Sequence, residues 1–100
     1  MLAYPFSTHL TFINDPGHGW LKVPLNDIAA LGIEAQITPY PFIEGEFAYL
    51  EEDCDAPCYQ EALITQGLPV PEITDQYVER FSRDKDRFPH DPAFWERLRS

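Results

Sequence analysis

Asn14-Asp15-Pro16-Gly17-His18-Gly19-Trp20 sets a histidine between two glycines, close to an aspartate and a tryptophan. These are the parts of an acid/base site: an imidazole that titrates near neutrality, a carboxylate to orient it, and permissive backbone beside it. The same residues also have a structural reading. Gly17 and Gly19 would supply positive φ in a turn, His18 would hydrogen-bond that turn, and Trp20 would anchor the following strand. No serine or cysteine nucleophile is close to His18 in sequence.

A second constellation, Glu51-Glu52-Asp53-Cys54-Asp55-Ala56-Pro57-Cys58, leaves a strand and enters a helix. Its carboxylates suit a hard cation, but the alternating ligands and central glycine of a calcium loop are missing. Cys54 and Cys58 are the only cysteines, and no second Cys or His pair stands at zinc-finger spacing, so neither a metal nor a cofactor is expected. Cys58 would lie in the first helical turn, where the helix dipole favours a thiolate, yet Asp53, Asp55 and Glu61 oppose it. If the two constellations meet in space, His18, Cys54 and Cys58 with Asp53 or Asp55 have the ligand types of a zinc site. Asp15, His18, Trp20, Cys54 and Cys58 therefore form an alternative candidate site.

Charge supplies the third feature. Seventeen acids against seven bases give a net charge of -10. Residues 44–75 carry nine acids and no Lys or Arg, while residues 76–100 carry six bases and five acids. Such an excess opposes direct binding to nucleic acid or to an anionic membrane. Glu44, Glu46, Glu51, Glu52, Asp53 and Asp55 fall on one hairpin and its exit, where a strip of carboxylates would present a phosphate-like row to a basic groove. The partner this implies is a protein with a basic, nucleic-acid-binding surface. The first residues lack the basic start and long apolar stretch of a signal peptide, and two cysteines are few for a secreted scaffold, so a cytoplasmic location is expected.

One hundred residues suit a single domain. Thr8 to Ile13 alternates as a half-buried strand, Asn14 to Gly17 reverses the chain, and Trp20 to Val23 returns. Leu25, Ile28 and Leu31 then share one face of a short helix that Gly32 stops. Ile33 to Ile43 is extended but broken by Pro39 and Pro41, which belong on an edge and leave self-association open. Glu44-Gly45 turns into a strand from Glu46 to Glu51. Asp55 caps a helix closed by Gly67, with Tyr59, Ala62, Leu63 and Ile64 as its buried stripe. Residues 1–67 thus read as two ββα units, an α+β fold of ββαββα type with a mainly antiparallel sheet of about four strands. Leu68-Pro69-Val70-Pro71 is a stiff connector. Thr74 is expected to cap a helix carrying Tyr77, Val78 and Phe81, and Asp91-Pro92 to begin a last helix with Phe94, Trp95 and Leu98 at core spacing.

Asp15-Pro16-Gly17-His18-Gly19-Trp20-Leu21 and Val23-Pro24, taken with Tyr49-Leu50-Glu51-Glu52-Asp53-Cys54-Asp55, resemble a group of short, functionally uncharacterised proteins carried by bacteriophages, prophages and plasmids. The resemblance covers about residues 8 to 67, and the final third departs from it. It implies a mobile-element origin and brings no catalytic residue or cofactor. Small acidic phage proteins often block a host defence enzyme, CRISPR effectors included. The expectation is therefore a non-enzymatic acidic binding protein, a phage-type accessory or anti-defence inhibitor acting as an anti-CRISPR-like DNA mimic. The alternative is a small metal-binding protein or enzyme with a site around His18 and Cys54/Cys58.

Overall fold

Two tight hairpins form the centre of the sheet in the computed structural model, which describes residues 4–100. β1 (His9–Asn14) and β2 (Gly19–Pro24) pair antiparallel across the Asp15 turn. The Asp15 carboxylate accepts from the backbone N–H groups of Gly17 and His18 at 3.0 and 2.7 Å. That is the Asx arrangement that makes Asp a turn residue. β3 (Phe42–Glu44) and β4 (Phe47–Glu51) pair across a turn in which Gly45 has φ 61°, a region that favours glycine. β2 and β4 are themselves antiparallel neighbours, with Trp20 opposite Glu51 and Leu21 opposite Leu50. Both hairpins therefore share one sheet.

Alternation along these strands sends Leu10, Leu21, Val23, Ala48 and Leu50 to one face, where all are buried. Three helices cover that face: α1 (Leu25–Leu31), α2 (Asp55–Thr65) and α3 (Pro92–Arg99). Ile28, Tyr59, Leu63 and Trp95 complete the core from the helical side. Each such side chain contributes on the order of 1.5 to 3 kcal/mol by leaving water. Gly32 ends α1 in the left-handed conformation, and the Asp91 carboxylate caps α3 by accepting from the Ala93 N–H at 3.1 Å. α2 buries Tyr59 and Leu63, but Ile64 is exposed, so the expected stripe is narrower by that residue.

The sheet is larger and more mixed than the expected four strands. Two more strands extend it, β5 (Glu72–Tyr77) and β6 (Asp86–Arg87), in the order β5-β1-β2-β4-β3-β6. β5 runs parallel to β1, with Leu10 opposite Ile73 and Phe12 opposite Asp75. The helix expected after Thr74 is thus a strand. Ile73, Thr74 and Tyr77 suit a pleated surface, and the ladder offered by β1 outweighs the weak helical spacing. Val78 and Phe81 keep an apolar role by folding under the opposite face of the sheet. The final third is therefore a strand, an irregular segment, a short strand and one helix. Pro39 and Pro41 do not leave a free edge either. The Phe88 N–H donates to the Pro41 carbonyl at 2.8 Å, and β6 covers β3.

Candidate functional site

The face of the sheet away from the helices carries a second apolar cluster of Ile13, Trp20, Phe42, Tyr49 and Phe81. Phe81 stacks on Trp20 with ring centroids 3.9 Å apart. This contact lays residues 78–85 across the strands and brings their bases to the two motifs. A cleft of about 450 Å³ results, with the Gly17–Trp20 turn on one side, Glu51, Glu52 and Asp53 on another, and Arg83 and Arg87 closing it over Phe42.

The two motifs meet through the backbone. The Glu52 N–H donates to the Gly19 carbonyl at 3.1 Å, one step beyond the Trp20–Glu51 pair. A Cβ on Gly19 would clash with the Phe12 ring and stand 2.6 Å from Glu52 Oε2. Glycine is there for close approach. The positive φ expected at Gly17 and Gly19 is found instead at Gly32, Gly45 and Gly67.

Arg83 Nη2 lies 2.8 Å from His18 Nδ1. A guanidinium only donates, so Nδ1 accepts, and the neutral ring carries its proton on Nε2. The His18 ring stacks on Trp20 at 5.7 Å, the Arg83 guanidinium lies 5.6 Å from the Trp20 ring, and that of Arg87 lies 4.3 Å from the Phe42 ring. Burial, the largest influence on the Asp15 carboxyl, pushes its pKa up. The Gly17 and His18 backbone N–H groups, with the Arg83 charge, outweigh it and hold the carboxyl below its ordinary value. A lowered folded-state pKa stabilises the fold above the unfolded value and ceases to do so as pH falls through the folded one. The wild type should therefore lose turn stability as pH drops below about 4. Asp15→Asn should flatten that part of the profile, as measured by melting temperature at mildly and strongly acidic pH; parallel profiles for the two proteins would refute it.

The carboxylate strip is not continuous. Glu44 accepts from Lys85 Nζ at 3.3 Å and from the Tyr49 hydroxyl at 3.5 Å. Glu46 sits in the exposed β3–β4 turn, while Glu51, Glu52 and Asp53 are at the far end of β4. With about 3.3 Å per residue, the two groups are separated by roughly 16 Å along the strand. Arg83, Lys85 and Arg87 approach Trp20, Tyr49 and Phe42 on this same face. Asp55 is only 1% exposed, and its carboxylate accepts from the Thr38 N–H at 2.9 Å and the Thr38 hydroxyl at 2.7 Å. It ties the loop before β3 to the start of α2 and presents nothing to a partner. Asp55 thus leaves the expected partner-binding set, and a phosphate-like row is replaced by a compact Glu51-Glu52-Asp53 wall with bases beside it.

His18, Cys54 and Cys58 do not come together as one ligand set. Cys54 and Cys58 line a separate cleft beside Gly32, Gln36 and Glu61, at the junction of α1 and α2. Both are free cysteines. Burial pushes the Cys58 thiol up, and Asp55, Glu61 and Cys54 push it further the same way, which is the reverse of what a nucleophile or metal ligand needs. Among the described residues no cluster of three or more His, Cys, Asp and Glu side chains is arranged to hold a metal ion. His9 contacts Thr74 Oγ1 at 2.6 Å on the sheet, and His90 Nε2 donates to the Ile37 carbonyl at 2.7 Å. Arg83 and Arg87 were the residues hidden from motif reading. Their signal was the base-rich run after residue 79, which helical spacing placed on the wrong element.

Fold and site together define an α+β sheet protein with a mixed-charge, aromatic-floored cleft built from two turns and a basic segment. Comparisons with protein-family models, curated proteins and solved structures return no match. Among the described residues no helix is long and apolar enough to cross a membrane.

Proposed function

We propose that this chain is a non-enzymatic acidic binding protein that engages a basic surface of a nucleic-acid-processing partner through Glu51, Glu52 and Asp53. The observation that carries this reading is the hydrogen bond from Glu52 N–H to the Gly19 carbonyl. It fixes three consecutive acids at the end of a stiff sheet, beside the rings of His18 and Trp20. A lysine or arginine of the partner entering there meets carboxylates and an aromatic surface at once. The net charge of -10 speeds encounter with a basic partner and repels nucleic acid itself. The resemblance of both motifs to mobile-element proteins favours a host defence enzyme as the partner and an inhibitory role.

An arginine-rich peptide is the probe for this reading, followed by amide chemical shifts. At about 0.01 M salt, where the Debye length is about 30 Å, it should perturb Gly17 to Trp20 and Glu51 to Asp53. At about 1 M, where that length is about 3 Å, the shifts should vanish. The triple variant Glu51→Lys, Glu52→Lys, Asp53→Lys should abolish them. Shifts that stay in the charge-reversed protein, or that never touch the cleft, would remove the basis of the proposal.

A further inference from the structure

The sheet has one long open edge. Among the described residues β5 pairs only with β1, and all six of its residues are exposed. In a parallel ladder alternate residues direct both backbone groups to the same side. The Glu72 N–H donates to the Thr8 carbonyl at 3.0 Å, and after β5 the Val78 N–H donates to the Asn14 carbonyl at 2.8 Å. The even-numbered residues therefore serve β1. The N–H and C=O groups of Ile73, Asp75 and Tyr77 point outward along the open edge. Their side chains share the helix-side face with Leu10, yet Ile73 is 39% and Tyr77 61% exposed.

Natural edge strands are blunted by proline, charged side chains, a bulge or short length. Glu72-Ile73-Thr74-Asp75-Gln76-Tyr77 has no proline and no bulge and runs six residues, whereas β6 at the other edge has two. Its only guards are the acids Glu72 and Asp75, which repel an acidic strand and leave a basic one free to pair. We propose that β5 is a strand-addition site for an extended peptide segment of another protein, one that alternates apolar, basic and apolar residues opposite Tyr77, Asp75 and Ile73. Main-chain pairing supplies the affinity in this mode, and alternate side chains supply the choice of partner. Charge complementarity selects a basic segment. Glu72 and Asp75 are the only charges on the strand, and Glu79 follows. A second copy of the chain suits the edge poorly, because antiparallel pairing centred on the strand would set Asp75 against its own copy. The site is separate from the cleft and does not depend on the function proposed for it.

The capped peptide Thr-Val-Thr-Lys-Thr-Val-Thr tests this by amide hydrogen exchange on the full chain. Exchange should slow at Ile73, Asp75 and Tyr77 and stay unchanged at Glu72, Thr74 and Gln76, which already bond to β1. The same peptide with glutamate in place of lysine should give no protection. Asp75→Pro removes an outward N–H without touching the β1 ladder, so it should abolish peptide protection while leaving the circular dichroism spectrum intact. Asp75→Lys retains the backbone donor and should exchange the preference, favouring the glutamate peptide. Equal protection by both peptides, protection that survives Asp75→Pro, or protection that rises with protein concentration in the absence of peptide would each overturn the assignment; the last would make a second copy the occupant.

Discussion

Phe81→Ala should lower the free energy of unfolding by about 3 to 5 kcal/mol, the range for truncating a buried phenylalanine. Its ring is 8% exposed and meets three others, with centroids 3.9 Å from Trp20, 5.2 Å from Tyr49 and 6.0 Å from Phe42. It is the main apolar anchor of residues 78–85, an otherwise largely exposed segment that carries Arg83 to His18. Without the ring, the second apolar cluster opens to water and Arg83 loses the backbone support that holds it over Trp20. Urea denaturation measures the first effect. The second is read from the Trp20 indole and His18 ring signals, which should move toward solvent-exposed values. Phe81→Leu should recover most of the stability while leaving the ring stack broken. A loss under about 1 kcal/mol in the alanine variant, with the His18 signals unmoved, would show that the segment is held by its charges and not by this ring.

Trp95→Ala should cost at least as much, about 3 to 5 kcal/mol from the lost core contacts alone. Trp95 is 1% exposed, lies 5.2 Å from Phe88 and 5.1 Å from Phe94 between ring centroids, and donates its indole N–H to the Pro89 carbonyl at 2.9 Å. Truncation also leaves that carbonyl without its donor, adding about 1 to 3 kcal/mol if water cannot replace it. A domain of this size has on the order of 5 to 15 kcal/mol in total and loses about 4 to 8 °C of melting temperature per kcal/mol. The variant should therefore melt tens of degrees lower or fail to fold near 37 °C. Trp95→Phe keeps most of the buried area and gives up the hydrogen bond, so it should fall between the two. Calorimetry decides: a wild-type-like transition for Trp95→Ala would mean that α3 is not part of the cooperative core, despite the Arg99 side chain donating to the Ala29 carbonyl at 3.1 Å.

The hairpin turns were legible because their chemistry is local. Asp15 accepts from N–H groups two and three residues ahead, and Gly45 and Gly32 occupy conformations that other residues avoid. The period of β4 separates Ala48 and Leu50 from Phe47 and Tyr49, but both faces bury a residue, Leu50 in the helical core and Tyr49 in the second cluster. The period alone therefore does not say which face the helices cover. The membership of the site was only half legible. His18, Trp20, Glu51, Glu52 and Asp53 do line one cleft. Asp55 turned inward because a buried helix start offered it the two Thr38 donors. Cys54 and Cys58 followed α2 to another side of the molecule, a direction no spacing rule specifies.

By itself the sequence determined the turns, the two hairpins, the Gly32 stop of α1, the Asp91 cap of α3 and the overall acidic charge, all of which follow from interactions within a few residues or from composition. The expected Asp55 cap did not form, because α2 begins at Asp55 and its carboxylate bonds Thr38 instead. Only the tertiary structure decided that Glu72–Tyr77 is a strand, because its ladder lies on β1 near the other end of the chain. It likewise decided that the acids of β4 have bases as neighbours, because Arg83 reaches a histidine 65 residues away. Long-range pairing sets those outcomes, since a free backbone edge or an apolar ring is satisfied by whatever the folded chain brings near it, at any distance in sequence.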